Sequence, residues 1–311
     1  MSDRTKSIIL ITFGVLVTIN TVVGVTLSLV HVSKGKFAKA GVPSLMGNVG
    51  VVDVSGIIVS ESEELFSEYS SASEVAEDIK SFADTPTIKA IRINVNTPGG
   101  TVSGAETIVS AIEYAKSKGK KIIVYMKEIA ASGGYYISAP ADYIMASYGT
   151  LTGSIGVIVQ SMNIKELLDK IGVKTYTFKS GSHKDILSPY REPSNTEKEM
   201  IQSIVDDYYQ RFIEIILKYR SKKISKSDLL KIADGRVLSE KQALENKLID
   251  GVGDESKLEE VIKNLVGDEV VNYVKIPKKR SLIKGILGSI LPIKGIRQNV
   301  GNYIGVYYIM N

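Results

Sequence analysis

Between residues 48 and 146 the sequence alternates apolar, β-branched runs with segments in which apolar residues recur at helical spacing. The apolar runs are 48–59, 88–96, 121–126 and 141–146. A sheet with one face in water alternates apolar and polar residues along its strands, whereas these runs are mostly apolar. Such strands, separated by helices, are typical of a parallel sheet with both faces covered. The residues therefore predict an α/β fold, and taken alone they suggest a doubly wound sheet.

The helical segments carry recognisable start signals and apolar faces. Ser71 and Glu74 form a capping-box pattern ahead of apolar residues at helical spacing. A long amphipathic helix is predicted over 195–219, and its apolar face consists of Ile201, Ile204, Tyr208, Phe212 and Ile215. Residues 149–160 predict a further strand punctuated by glycines, and residues 234–254 predict a turn, a helix and a second turn.

The N-terminal segment is uncharged from residue 7 to residue 30, with basic residues on both sides of it. A helix of that length would cross a bilayer, and the segment is longer than the apolar core of a cleavable signal peptide. We therefore expect a transmembrane signal-anchor over 7–32, preceded by a short flank and followed by a tether over 33–47. Because both flanks are basic, charge does not decide the orientation. A folded domain over 48–268 and a basic tail over 269–311 complete the expected organisation.

Composition excludes several kinds of site. The chain contains no cysteine, which removes disulfides, thiol nucleophiles and thiolate metal ligands. Its only histidines are His31 and His183, too few for a multi-histidine zinc site. We therefore expect neither a metal nor a cofactor. A net charge of +5 is mild for 311 residues and does not indicate a nucleic-acid partner.

The loop "NTPGGTVSG" follows the second predicted strand, at the carboxyl edge where parallel sheets place their active sites. Gly99 and Gly100 have no side chains to block a ligand, so their N–H groups can bind an oxyanion or a phosphate. The alternative is a glycine turn that merely starts a helix, and for this loop alone that alternative is favoured.

The stretch "IAASGGYYISA" follows the third predicted strand and contains Ser132. A nucleophile at the start of a helix benefits from the helix dipole, and the N–H of Gly133 can help to bind an oxyanion. Alternatively, the small residues serve only close packing of a helix on the sheet. A single serine among small residues does not separate these possibilities.

A serine nucleophile requires a base, and two candidates lie in "KSGSHKDILSP". No motif supplies the carboxylate that would orient His183 in a triad. Lys184 is the other candidate, because a lysine can act as a base once burial or a nearby cation favours its neutral form. A close carboxylate would keep it charged, and Asp185 is its neighbour in sequence. An exposed, solvated loop lysine is the alternative for Lys184.

The combination of motifs resembles one family. In order, the stretches "NTPGG", "AASGGYY", "GTLTGSIGV", "KSGSHKDILSP" and "ADGRVLSEKQALENKLID" are similar to those of signal peptide peptidase A, the SppA family of membrane-anchored serine–lysine proteases. Each stretch is modestly specific, but five in the same order, covering roughly residues 48–265, are highly specific. The resemblance identifies 48–268 as a serine protease domain.

Carried over motif by motif, the resemblance implies roles for individual residues. Ser132 matches the nucleophile and Lys184 the general base, while Ser154 matches a position whose hydroxyl helps to hold the lysine. Gly100, its neighbour Gly99, and Gly133 match the donors of the oxyanion hole. The implied fold is the Clp-protease and crotonase superfold, a β-superhelix of ββα units, in place of a doubly wound sheet.

The resemblance also implies a setting for the protein. Short members of the family form homo-oligomeric rings or domes, in which neighbouring protomers can supply the serine and the lysine. The implied substrates are remnant signal peptides and other small or unfolded peptides at the cell membrane. The family orientation makes the chain a single-pass membrane protein with its catalytic domain outside the cytoplasm.

The tail and two rival functions complete the expectations. Residues 270–311 contain seven Lys and Arg but no Asp or Glu, which favours a basic tail near anionic lipid. In some members of the family the C-terminal segment occupies the active-site groove, so "NYIGVYYIMN" is alternatively a pseudo-substrate strand.

Two rival functions remain open: a crotonase-type acyl-CoA enzyme and a catalytically inert membrane scaffold.

Overall fold

The structure is a computed structural model that describes residues 47–61, 69–276 and 307–309. The strands are β1 (Val49–Ser55), β2 (Ile57–Val59), β3 (Tyr69–Ser71), β4 (Ala90–Thr97), β5 (Gly99–Thr101), β6 (Lys121–Ala131), β7 (Tyr143–Ala146), β8 (Leu151–Gly153), β9 (Val237–Ser239), β10 (Gly251–Val252), β11 (Tyr273–Val274) and β12 (Tyr307–Ile309). The helices are α1 (Ala72–Asp84), α2 (Val102–Ser117), α3 (Gly133–Ser138), α4 (Lys165–Lys170), α5 (Asn195–Arg220), α6 (Lys226–Leu230), α7 (Glu240–Glu245) and α8 (Glu255–Val266).

The main sheet has the strand order β10-β7-β6-β4-β1-β11, and each neighbouring pair along it is parallel. β8 pairs with the end of β6, also in parallel, and β9 lies antiparallel to β8. β1 and β4 are buried along almost their whole length, as expected of parallel strands covered on both faces. The buried residues of β4 include Arg92 and Asn94, and Arg92 Nε donates to Asn94 Oδ1 at 2.7 Å. The predicted α/β class and parallel sheet are thus confirmed.

A smaller sheet with the order β12-β5-β2-β3 lies at the carboxyl edge of β1 and β4. The apolar run 48–59 divides between the two sheets, because Gly56 adopts a φ of 76° between β1 and β2. Gly56 interrupts this run, and in the structure it carries the chain from one sheet to the other.

Helices cover both faces of the main sheet. On one face α1 packs so closely that a Cβ on Gly50 would lie 2.5 Å from the ring of Phe82. On the opposite face α8 contributes Leu258 and Ile262 to a core cluster. The sheet residues of that cluster are Val49, Ala90, Ile123, Tyr125 and Met145. Ser71 caps α1 by accepting a hydrogen bond from the backbone N–H of Glu74, as the capping pattern predicts.

Two predicted elements differ from the structure. The strand predicted over 149–160 ends at Gly153, because Gly153 and Ser154 have φ values of 77° and 49° that regular strand pairing cannot continue. The long helix is present as α5, and Phe212 near its end is buried, but Ile204 and Tyr208 on the same predicted face are 40% and 37% exposed. Only the second half of α5 packs on the core.

The proposed anchor over 7–32, most of the tether and most of the basic tail lie outside the described residues. Among the residues that are described, no helix has the length and apolar character needed to span a bilayer.

Candidate active site

Ser132 occupies the sharp junction between β6, which ends at Ala131, and α3, which begins at Gly133. Its backbone has φ 53° and ψ −113°, a conformation that non-glycine residues rarely adopt and that costs about 1–3 kcal/mol. Two hydrogen bonds hold it there: the Ser132 N–H donates to the Gly153 carbonyl at 2.8 Å, and the Tyr136 N–H donates to the Ser132 carbonyl at 2.8 Å. The surrounding fold therefore imposes this conformation.

The side chain of Ser132 is fully buried, and its Oγ has no hydrogen-bond partner in the structure. It does not cap α3, in contrast to the serines that begin α1 and α5. A buried hydroxyl without a partner costs about 1–3 kcal/mol, so native structures rarely retain one without a function. Close packing explains Gly134 instead, because a Cβ there would lie 2.9 Å from Thr97 Cγ2. It does not explain Ser132.

Two buried tyrosines fix the short helix that follows Ser132. The Tyr135 hydroxyl donates to the Leu248 carbonyl at 2.8 Å, and burial raises the pKa of this phenol above its ordinary value. The Tyr136 hydroxyl donates to Glu106 on α2 at 2.5 Å, and its ring meets Phe212 of α5 edge to face. The sequence motif assigns no role to these tyrosines, although they follow Ser132 directly in "SGGYY".

The glycine loop lies beside α3 as strand β5. A Cβ on Gly100 would approach the Ile58 carbonyl oxygen to 2.0 Å, so only glycine fits at this point. Gly99 has a φ of 116°, and its N–H donates to Thr97 Oγ1 at 3.0 Å. The backbone geometry therefore requires glycine at both positions, and the N–H of Gly99 is bonded within the loop.

Ser154 lies next to Ser132 on the neighbouring strand. Ala131 and Gly153 are paired in the parallel register of β6 and β8, so the residues that follow them, Ser132 and Ser154, emerge side by side. Ser154 also has a positive φ, of 49°, and its N–H donates to the Arg236 carbonyl at 2.8 Å.

Lys184 and His183 lie in an exposed turn over 181–188. Since Ser132 Oγ has no hydrogen-bond partner, neither side chain is bonded to it within this chain. His183 Nδ1 instead lies 3.4 Å from Glu197 Oε1 on α5, which leaves the histidine without a role beside Ser132. The structure thus brings α3, which begins directly after Ser132, against the β5 glycines, and Ser154 follows the strand beside β6. It shows no hydrogen bond between Lys184 and Ser132 Oγ.

The segment that carries Lys184, residues 155–193, is exposed along most of its length. Its apolar side chains are unusually open to solvent, with Phe178 96% exposed and Tyr176 78% exposed. Further exposed apolar residues of this segment are Met162, Leu167, Ile171, Val173 and Tyr190. Large exposed apolar surfaces of this kind mark interaction sites. We call this segment the lysine arm.

Strand β12, near the end of the chain, pairs antiparallel with β5. Tyr307 is opposite Thr101, Tyr308 is opposite Gly100, and Ile309 is opposite Gly99. The backbone of β12 also approaches α3. The end of the basic tail is thus a strand on the edge of the glycine loop, next to the helix that begins after Ser132.

Comparison with known proteins relates the chain to the same kind of protease as its motifs do. The model of peptidase family S49 matches residues 114–268. A protein of Enterococcus faecium, named as a candidate signal peptide peptidase SppA, is 39% identical over 206 residues, which are 65% of this chain and 59% of that protein. "Protease 4" of Haemophilus influenzae is 34% identical over 208 residues, which are 66% of this chain and 32% of that protein.

The chain thus spans 59% of the Enterococcus protein and a smaller share of "Protease 4". The match extends further in a Synechocystis protein that is named as a candidate protease. It is 34% identical over 214 residues, which are 68% of this chain and 76% of that protein. The family model covers both Ser132 and Lys184, and the Synechocystis protein is matched over 76% of its length, so the chain belongs to peptidase family S49.

Proposed function

We propose that the protein is a serine peptidase in which Ser132 is the nucleophile and Lys184 is the general base. The observation that carries this proposal is the strained, buried Ser132, whose Oγ has no partner and which lies beside the glycine strand β5. The test is peptide hydrolysis by the wild-type chain compared with the Ser132→Ala and Lys184→Ala variants. Loss of hydrolysis in both variants is expected.

The proposed reaction is peptide hydrolysis through an ester formed on Ser132. Neutral Lys184 Nζ takes the proton from Ser132 Oγ while Oγ attacks the peptide carbonyl carbon. The carbonyl oxygen gains negative charge, which the N–H groups of Gly133 and Gly100 stabilise. The lysine then gives its proton to the leaving amine as the C–N bond breaks. Water, deprotonated by the same lysine, hydrolyses the resulting ester and regenerates Ser132.

Gly100 is a better oxyanion donor than Gly99 in this scheme. The N–H of Gly99 donates to Thr97 Oγ1, so using it for the substrate would break an existing bond. Gly133 is the first residue of α3, where the N–H groups have no acceptor within the helix. Ser154 follows the end of β8, the strand paired with the end of β6, and its proposed role is to hold the incoming lysine by its hydroxyl.

We propose further that Lys184 reaches Ser132 from a neighbouring copy of the chain in a homo-oligomeric ring or dome. Two observations support this: Ser132 Oγ has no partner within the chain, and the lysine arm exposes apolar side chains such as Phe178. Docking of the arm on the next protomer would bury that apolar surface. The same step would deliver the lysine.

The proposed substrates are remnant signal peptides and other small or unfolded peptides. Ser132 is fully buried, so a folded surface cannot reach it, whereas an extended chain could approach by pairing with the edge of β5. The β12 strand demonstrates that the edge of β5 accepts such a chain. The proposal includes a membrane anchor over 7–32, an extracytoplasmic catalytic domain and the Clp/crotonase β-superhelix. The parallel sheet, with a second small sheet at its carboxyl edge, is compatible with that fold.

Deleting residues 281–311 should raise peptidase activity several-fold, because β12 occupies the edge of β5 that a substrate strand would use. The measurement is the rate of peptide hydrolysis by the full chain and by the shortened chain. A matched variant, Tyr308→Pro, keeps the tail and its charge but disrupts strand pairing, so it should raise activity in the same way. Unchanged turnover in both variants would remove the pseudo-substrate idea.

Activity should fall as the pH is lowered, because Lys184 can accept the serine proton only when it is neutral. The carboxyls nearest to it do not titrate in the same range. Hydrogen bonds from Arg191 hold the pKa of Asp185 and that of Glu197 well below their ordinary values. The stabilisation they provide is therefore lost only in strong acid. The measurement is kcat/KM against pH with folding monitored in parallel, and a flat profile from about pH 5 to about pH 9 would contradict the lysine base.

A further inference from the structure

The turn that carries Lys184 is a short, irregular stretch that depends on its neighbours for its shape. The Ser188 N–H donates to the Asp185 carbonyl at 3.0 Å, and the Ile186 N–H donates to the His183 carbonyl at 3.1 Å. Leu187 has a φ of 63°, which is unfavourable for a leucine. Local hydrogen bonds of this kind do not fix a loop by themselves, so its position requires an external support.

Arg191 provides that support by binding two carboxylates at once. Its Nε and Nη2 donate to the two carboxylate oxygens of Asp185 at 2.9 and 2.7 Å. Its Nη1 and Nη2 donate to the two carboxylate oxygens of Glu197 at 2.8 and 2.6 Å. The side chains of Asp185 and Glu197 are 14% and 3% exposed. Only the planar fork of an arginine can make such paired bonds on two sides.

Glu197 connects this cluster to the body of the protein. Its carboxylate accepts a hydrogen bond from the Ser194 N–H at 2.9 Å, and the Ser194 hydroxyl accepts one from the Glu197 N–H at 3.2 Å, which together form the capping box of α5. At its other end α5 is held by Arg220, whose guanidinium is bonded to buried Asp250 at 2.8 Å. Asp185, Arg191 and Glu197 thus tie the Lys184 turn to a helix rooted in the core.

The same bonds determine the charge beside Lys184. Asp185 follows Lys184 directly, and a free carboxylate there would stabilise the ammonium form and weaken the base. Arg191 and Lys179 both bind Asp185, the lysine at 2.5 Å. His183 in the same turn faces Glu197, and Glu192, which follows Arg191, is paired with Lys198 at 3.2 Å. Each of these carboxylates is thus paired with a group other than Lys184.

We propose that Arg191 is a positioning residue for Lys184: it fixes the lysine turn on α5 and keeps the Asp185 carboxylate engaged, so that Lys184 can be neutral when it meets Ser132. The inference rests on the proposed function, because it assigns a partner to the proposed base. It holds whichever copy of the chain supplies the serine, since the cluster lies within the chain that carries the lysine.

The test is the pH dependence of kcat/KM for the full chain in detergent. Arg191→Gln removes one cation and leaves Lys179 as the remaining partner of the Asp185 carboxylate. Half-maximal activity should therefore move up by about one pH unit, and activity on the acid side should fall about tenfold. Adding Asp185→Asn to that variant should return the profile to its original position. Lys89→Gln, which removes one positive charge from a surface pair with Asp268, is the control and should not shift it.

A purely structural role predicts a different result. Arg191→Gln would then lower activity equally at every pH, and Asp185→Asn would not restore it; either observation overturns the proposal. If Arg191→Gln does not fold, Arg191→Lys is the variant to use, because it loses the fork and should give a smaller shift in the same direction. No shift in Arg191→Lys would equally overturn it. Hydrolysis that survives Lys184→Ala would instead refute the proposed function itself.

Discussion

Replacing Ser132 with alanine should reduce peptide hydrolysis by at least about 10³-fold, because the attacking oxygen is removed. The same change should leave the free energy of unfolding unchanged or raise it by about 1 kcal/mol, since Ser132 Oγ is buried without a hydrogen-bond partner. Most mutations in a core destabilise the fold, so loss of activity without loss of stability is a specific signature of this serine.

Ser138→Ala is the matched control for that measurement. Ser138 is also buried and lies on the same helix, but its hydroxyl donates to the Gly134 carbonyl at 2.6 Å. Its replacement should lower stability by about 0.5–1.5 kcal/mol and leave most of the activity. Hydrolysis retained by Ser132→Ala would refute the serine nucleophile.

Binding of CoA thioesters without peptide hydrolysis would favour the crotonase-type alternative, and absence of both activities would favour the scaffold.

Lys184→Ala should also abolish hydrolysis, and co-expressing it with Ser132→Ala should restore part of the activity. If serine and lysine come from neighbouring protomers, a working site needs its serine from a Lys184→Ala chain and its lysine from a Ser132→Ala chain. Random mixing of equal amounts satisfies both conditions at about a quarter of the sites. The measurement is hydrolysis by the co-purified mixed oligomer relative to the wild type.

A second co-expression tests whether mixing two chains restores activity for a reason other than the pairing of Ser132 with Lys184. Ser132→Ala combined with a chain that carries both substitutions has no source of serine, so it should remain inactive. Mixed oligomers of the two single variants that assemble but show no recovery would place the lysine in the same chain as its serine. Activity in Lys184→Ala alone would refute the dyad altogether.

The sequence predicts the parts of this structure that depend on local pattern. Continuous apolar runs indicate the parallel sheet, and Gly56 indicates the break between β1 and β2, because both follow from backbone preferences of a few residues. The junction at Ser132 is likewise visible as a serine among small residues. Its lack of a hydrogen-bond partner is not, since that depends on every side chain packed around it.

Other features depend on contacts between distant segments, so they could not be predicted from local sequence patterns. Helical spacing places Ile204 and Tyr208 on the same face as Phe212, but it does not reveal that only the second half of α5 packs against the core. The chain spacing of Ser132 and Lys184 matches the family, yet it does not say whether one chain brings them together. The roles of Arg191 with Asp185 were also hidden, because only the fold shows which acid a given arginine binds.

The backbone strain described above has an evolutionary consequence. Within the described residues, the non-glycine positions with positive φ are Ser132, Ser154, Leu187 and Lys247, and all but Lys247 lie at the serine site or in the lysine turn. Glycine would relieve strain at each of these positions. Selection for heat resistance alone should therefore favour glycine at these positions. Glycine at position 132 would also remove the hydroxyl proposed as the nucleophile, so the substitution that relieves backbone strain there would inactivate the enzyme.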